Sequence, residues 1–250
     1  MDKENKNLIK YEFLDRSIFF PDKGVLVLGD IHIGYEQALI DAGVLIPNRQ
    51  VKDIISDLKK IIKKIKDSKY NLKEIIFLGD IKHLFSYAWK EKDNLDKIVE
   101  FLEEYIPQEK IIFIRGNHDT TEIHSKIKLR DFYIHGEIAF LHGHKSFLEI
   151  FDKKIKVIIT GHLHPSVILT EVPGVKIESY KCFLEGSYKN KTFIVLPSFI
   201  KFVEGTAIND YEEMYLESFS IIPKREIMNF KVYILGEERI YEFGKVKDFN

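Results

Sequence analysis

The chain has 250 residues, 45% hydrophobic and 31% charged, with a formal net charge of −1, an ordinary globular balance that buries a core without disulfides. The near-neutral charge excludes a strong overall field toward nucleic acid or membrane, though not a local basic patch. The single cysteine, Cys182, excludes an internal disulfide and suits a reducing compartment; it reads as a half-buried strand residue, not a reactive thiol.

Residues 1 to 7 are charged rather than apolar and are expected to fray. No apolar run approaches the ~20 residues of a membrane span, so a cytoplasmic protein without a membrane partner is expected. Leu8 to Phe20 reads as a hairpin turning at Asp15 and Arg16. Val25 to Leu28, Ile75 to Leu78 and Ile111 to Ile114 are short, continuous and β-branched, as strands buried on both faces are. Between them lie helical patterns. Val51, Ile54, Ile55, Leu58, Ile61, Ile62 and Ile65 recur at steps of three and four, with Lys59, Lys60, Lys63, Lys64 and Lys66 as a solvated outer face. Leu95, Ile98, Val99 and Leu102 repeat the pattern. Alternating strand and helix predicts parallel pairing with right-handed crossovers. The second half is richer in strand: Ile138 to Leu141, Val157 to Thr160, Thr192 to Leu196, then a hairpin from Phe230 to Phe243. No linker divides the chain, so residues 1 to 250 read as one domain whose C-terminal part, from about 166, is β-rich.

One pattern recurs in five segments. An apolar run ends, a glycine lies close by, and Asp, Asn or His follows: Asp30-x-His32, Gly79-Asp80, Gly116-Asn-His-Asp119, His142-Gly-His144 and Gly161-His-x-His164. Open α/β sheets form their sites beyond the carboxyl ends of the strands. These segments therefore aim polar loops at one place. Asp30, His32, Asp80, Asn117, His142, His162 and His164 are too many ligands for one ion, and two ions sharing one carboxylate would use them all. Carboxylates, an amide oxygen and imidazoles suit Mn²⁺, Fe, Zn²⁺ or Ni²⁺. His124 and His135 read as ordinary surface residues. His83 and His144 stand open between contact with substrate phosphate, orientation of a ligand and a place on the rim, and Arg115 between contact with phosphate and an exposed strand end.

The ordered set resembles the calcineurin-like metallophosphoesterase superfamily. Gly34-Tyr-Glu-Gln-Ala-Leu, Ala42-Gly with Pro47, Gly79-Asp-Ile-Lys-His83, and Leu196-Pro-Ser-Phe with Gly205 resemble its small prokaryotic branch related to SbcD, which includes the DNA-ligase-associated phosphoesterases. The resemblance implies a four-layer α/β fold, two mixed central β-sheets flanked by helices. It implies that Asp30, His32 and His164 hold one divalent ion, with manganese expected and Fe, Zn, Ni or Mg as alternatives. Asn117, His142 and His162 hold the second, and Asp80 bridges. His118 is then the catalytic histidine, with Asp119 orienting it, or else capping the next helix. The implied activity is phosphodiester hydrolysis by a hydroxide shared between the ions, with His118 as general acid. Phosphomonoester hydrolysis, a nuclease activity and a non-catalytic scaffold are the alternatives. The chain lacks the long C-terminal capping region of the double-strand-break nucleases, so the expected substrate is a small or single-stranded phosphoester. Substrate choice is assigned to the loops around Ser86 to Trp89, Thr120 to Lys128 and Glu204 to Asp210.

Overall fold

A computed structural model describes residues 9–83, 89–120, 127–170, 177–202, 205–210 and 220–249. Residues 1 to 7, expected to fray, His124 and much of the three expected specificity loops lie outside the described residues.

Strands β1 (Glu12–Leu14), β2 (Ser17–Phe20), β3 (Val25–Leu28), β4 (Glu74–Phe77), β5 (Ile111–Ile114) and β6 (Leu129–Arg130) form the first sheet in sequential order. β1, β2 and β3 pair antiparallel, and β3 to β6 are parallel. The parallel strands alternate with helices, as the sequence predicts. Helix α1 (Tyr35–Asp41) follows β3, α2 (Gln50–Asp67) leads into β4, and α3 (Trp89–Glu103) leads into β5. The stripe Ile54, Leu58, Ile61, Ile62 and Ile65 of α2 is buried against Leu26, Leu28, Ile75 and Phe77. Its lysines stay outside, with Lys59 over the Phe101 ring and Lys66 over Tyr105.

The second sheet is also mixed. Its path is β13 (Thr206–Ala207), β10 (Pro165–Thr170), β11 (Ile177–Tyr188), β12 (Lys191–Val195), β9 (Val157–Thr160), β8 (Ile138–Leu141) and β7 (Phe132–His135). The C-terminal hairpin, β14 (Lys231–Leu235) and β15 (Ile240–Lys245), joins through β11. Val27, Ile76, Leu78, Ile112 and Ile114 of the first sheet meet Phe140, Ile159, Phe183, Ile194 and Leu196 of the second in a shared core. Strands buried on both faces read as unbroken apolar runs for this reason. The outer face of the second sheet is covered, among the described residues, by the short α4 (Lys224–Ile227) and by turns carrying Ile150, Ile222 and Val246. The result is two mixed sheets flanked by helices, the four-layer arrangement that was expected.

Two expectations need correction. Cys182 is fully buried rather than half-buried; β14 pairs alongside β11 at this point, Cys182 belongs to the core cluster that includes Leu184, Ile234 and Val246, and burial pushes its thiol pKa far up. His135 is not an ordinary surface histidine in a loop. It ends β7, and its Nδ1 lies 2.9 Å from Oε2 of Glu74, a buried carboxylate at the start of β4. No helix among the described residues is long and apolar enough to cross a membrane.

Candidate metal centre

The parallel strands of both sheets end at one place. Asp30 and His32 follow β3, Asp80 follows β4, Asn117 follows β5, His142 follows β8, and His162 and His164 follow β9. His142 joins the sheets, since its Nδ1 is 3.1 Å from Asp30 Oδ1 and its Nε2 is 3.4 Å from Asp80 Oδ2.

Two groups of donor atoms converge. Asp30, His32, Asp80 and His164 each bring one atom to within 4.8 Å of the others, and Asp80, His142 and His162 do the same. Asp80 belongs to both. In the first group, His164 Nε2 lies 3.3 Å from His32 Nε2 and 3.3 Å from Asp30 Oδ2. In the second, His162 Nδ1 lies 3.1 Å and Asn117 Oδ1 3.0 Å from His142 Nε2. The sequence-selected ligand residues are thus brought together, with Asn117 beside the second group.

The local backbone is bent to do this. His32 (φ 39°), Asp80 (φ 43°), His162 (φ 70°) and His164 (φ 42°) are all left-handed. Each such non-glycine residue costs about 1–2 kcal/mol, a strain that clusters at functional sites. Two glycines make room for the carboxylates. A Cβ on Gly116 would sit 2.0 Å from Asp80 Oδ1, and one on Gly161 would sit 2.5 Å from Asp30 Oδ2.

The electrostatics fit divalent cations. Burial opposes charge on Asp30, but His164 and His142 hold its carboxyl well below the usual range. Asp80 is likewise lowered, His142 outweighing burial. Burial and the neighbouring His164 push His32 down to about 3, and burial with His142 pushes His162 down to about 4. Neutral imidazoles and ionised carboxylates are the forms that bind metal. His142 is the exception: against burial, Asp30 and Asp80 raise it to about 10, so a cation at its Nε2 must displace a proton.

The remaining polar residues sort by contact. The His118 N–H donates to Asp80 Oδ1 at 2.9 Å, and the ring Nδ1 faces the His83 carbonyl at 2.9 Å. A carbonyl only accepts, so the Nδ1 carries the proton. The resemblance had Asp119 orienting this ring. Instead, the Asp119 carboxylate accepts from the backbone N–H of Gly116 (2.9 Å), Ile81 (3.1 Å) and Lys82 (3.2 Å). It ties the two loops after β4 and β5 together, a task that a short carboxylate does better than reaching back to a ring one residue away. Burial raises its pKa against those bonds. Arg115 donates to the Asp119 carbonyl at 3.2 Å and lies 3.5 Å from Asp131, so it braces the loop. His83 and His144 flank the two groups, with ring centroids 5.8 Å from His32 and 6.0 Å from His162. Burial lowers the pKa of both, helped by His118 for His83 and by His142 for His144.

Sequence reasoning missed a layer behind the ligands. Gln50 hydrogen-bonds the backbone around His32, Glu36 accepts from the N–H groups of Arg49 and Gln50, and Arg16 and Lys181 hold the segment from Ser198 to Ile200 that borders Asp30. Arg16 Nε donates to the Phe199 carbonyl at 2.7 Å, Lys181 Nζ to the Ser198 carbonyl at 3.0 Å, and the Phe199 N–H to the Asp30 carbonyl at 2.9 Å. Glu36 lies in the segment from Gly34 to Leu39 that the resemblance includes, but no periodicity or motif marks Gln50, Arg16 or Lys181 for this role.

A family model described as calcineurin-like phosphoesterase matches residues 24–166. No curated protein matches the chain significantly. Among solved structures, nuclease MPE of Pseudomonas putida is 18% identical with a TM-score of 0.61, covering 94% of this chain and 100% of that one. A Vps29 double mutant of Entamoeba histolytica is 15% identical over 88% of this chain and 99% of that one, with a TM-score of 0.34. The first likeness is one of fold, and the second is too distant to carry an argument.

Proposed function

Because the chain belongs to the calcineurin-like phosphoesterase family, we propose that it is a dinuclear-metal-dependent phosphodiesterase acting on small or single-stranded phosphodiesters. Asp30, His32 and His164 hold one divalent cation, Asn117, His142 and His162 hold the other, and Asp80 is shared. Mn²⁺ is the cation to test first, since the oxygen and imidazole donors suit it. The observation that carries the reading is that Asp80 belongs to both converging donor groups.

When bound, two cations supply Lewis acidity that activates water and neutralises charge on the phosphoryl oxygens. The chain does the rest. The ionised Asp30 and Asp80 fix where positive charge collects. The His83 carbonyl keeps a proton on His118 Nδ1, so Nε2, 3.9 Å from Asp80 Oδ2, is the edge from which the doubly protonated imidazolium gives its second proton to the leaving alkoxide, ending as the neutral ring with its proton on Nδ1. General-acid help of this kind is worth about 10²–10⁴-fold. Asp119 acts by holding the His118 loop against the Asp80 loop.

The test uses metal-free protein with Mn²⁺ added back, assayed on bis-p-nitrophenyl phosphate, p-nitrophenyl phosphate and a single-stranded oligonucleotide. Diester cleavage that needs Mn²⁺, falls about 10²–10⁴-fold in His118→Ala and disappears in Asp80→Ala is expected. Preference for the monoester would make the protein a phosphatase. Failure to bind metal would overturn the ligand assignment. The oligonucleotide is included because the Pseudomonas putida neighbour is called a nuclease.

A further inference from the structure

Gln50 opens α2 and is buried, 5% exposed. Its side chain is wholly engaged with the loop that carries His32. The Gly34 N–H donates to its Oε1 at 3.0 Å, and its Nε2 donates to the Ile31 carbonyl at 3.1 Å and the His32 carbonyl at 2.7 Å. The opposite side of the loop is held by backbone: the His32 and Ile33 N–H groups donate to the Asp80 and Ile81 carbonyls. Gln50 therefore takes the carbonyls that point away from that pairing. Its own place is fixed by Glu36, 1% exposed, whose Oε2 accepts the N–H groups of Arg49 and Gln50 at 2.6 and 2.7 Å. Those are orphan donors of a helix start, so Glu36 caps α2 from outside it.

The His32 ring makes this clamp matter. A metal-binding imidazole is usually aimed by a hydrogen bond from its second nitrogen. His142 follows that pattern, with Nδ1 3.0 Å from the Leu78 carbonyl. His32 Nδ1 is buried with no hydrogen-bond partner among the described residues. No such bond at Nδ1 aims the ring, so its direction leans on its backbone, and that backbone is left-handed, φ 39°. We propose that Gln50 is a positioning residue for the group of Asp30, His32, Asp80 and His164, setting its affinity for a divalent cation without touching the cation. The proposal rests on the reading of these residues as metal ligands.

Calorimetric titration of metal-free protein with Mn²⁺ tests it, on the wild type, on Gln50→Met and on Gln50→Asn. Methionine keeps the length and removes all three hydrogen bonds; asparagine keeps the amide but is one methylene short. Asn117→Ala, which removes a donor of the other group, identifies which binding event belongs to which group. The expected result is two events in the wild type. In both Gln50 variants, one event is weaker by about 10–100-fold and the other is unchanged within about twofold, with the circular dichroism of the metal-free protein preserved. Gln50→Asn decides the matter if Gln50→Met does not fold. Two wild-type affinities in the variants, or an equal loss in both events, would overturn the positioning role alone. A wild type that binds fewer than two ions would overturn the ligand reading, and this inference with it.

Discussion

At the scale of single residues, the centre is built by excluding atoms as much as by supplying them. Gly161 has no positive φ to explain it; its reason is space, because a Cβ there would lie 2.5 Å from Asp30 Oδ2. Asp30 is fully buried and cannot swing aside into solvent. Gly161→Ala should therefore displace the Asp30 carboxylate while leaving the strand pairing of β8, β9 and β12 intact. The expected outcome is a fall in Mn²⁺-dependent diesterase activity of about 10²-fold or more, the scale on which small misplacements at a reacting centre act. Thermal unfolding of the metal-free variant should stay close to wild type. Full activity in Gly161→Ala would mean that Asp30 is not needed where it stands. The glycine was legible in the sequence as part of a strand-end motif. Its partner, Asp30, lies 131 positions earlier in the chain, and no local pattern connects them.

At the scale of elements, the sheets are joined at both ends, and only one joint was legible. The joint at the carboxyl ends is the ligand cluster, announced by glycine and histidine after apolar runs. The other is Glu74, at the start of β4, which receives Lys110 Nζ at 3.1 Å, the Tyr133 hydroxyl at 3.3 Å and His135 Nδ1 at 2.9 Å. Tyr133 and His135 belong to β7 of the second sheet. His135 reads as a surface residue in sequence because its partner is 61 positions away; periodicity reports which face is apolar, not what a lone polar group meets. Helix α2 and strands β3, β4, β5, β8 and β9 were legible because burial imposes period or continuity on many residues at once. Strand β11, which mixes Glu178, Tyr180 and Lys181 with apolar residues, carries no such imprint. Burial opposes ionisation of Glu74, but the bonds from Lys110 and His135 prevail and lower its pKa. A lowered carboxyl pKa stabilises the fold above its unfolded value, and that contribution is lost as pH falls through the folded value. Glu74→Gln should destabilise the protein at pH 7 by about 1–3 kcal/mol, as loss of hydrogen bonds to a charged group does. The gap from wild type should close as pH drops below the ordinary glutamate range. Denaturant unfolding across pH reads both, and a gap independent of pH would assign the effect to packing.

At the scale of the whole molecule, the metal centre and the inter-sheet core are one construction problem. The apolar core between the sheets fixes their spacing, and the loops at one end of that core must carry two buried carboxylates, Asp30 and Asp80, and the buried His32 and His142. Burying such groups is costly unless they are paired or coordinate metal, and four left-handed residues add strain. Cations that bind only the folded chain offset those costs. At a concentration of about a thousand times the dissociation constant, one ion contributes roughly 4 kcal/mol. For a chain of this size that raises the melting temperature by about 8–16 °C. Removal of both ions with a chelator should lower the melting temperature of the loaded protein by about twice that, roughly 16–32 °C, and Mn²⁺ should restore it. Asp80→Asn separates this from nonspecific ion effects, because among the described residues Asp80 alone belongs to both donor groups. In that variant the increment for both ions should shrink together, whereas Asn117→Ala should spare the group of Asp30, His32 and His164. If Asp80→Asn keeps the full increment, the two groups do not share a carboxylate, and the sheets are held at this end by the protein's own hydrogen bonds.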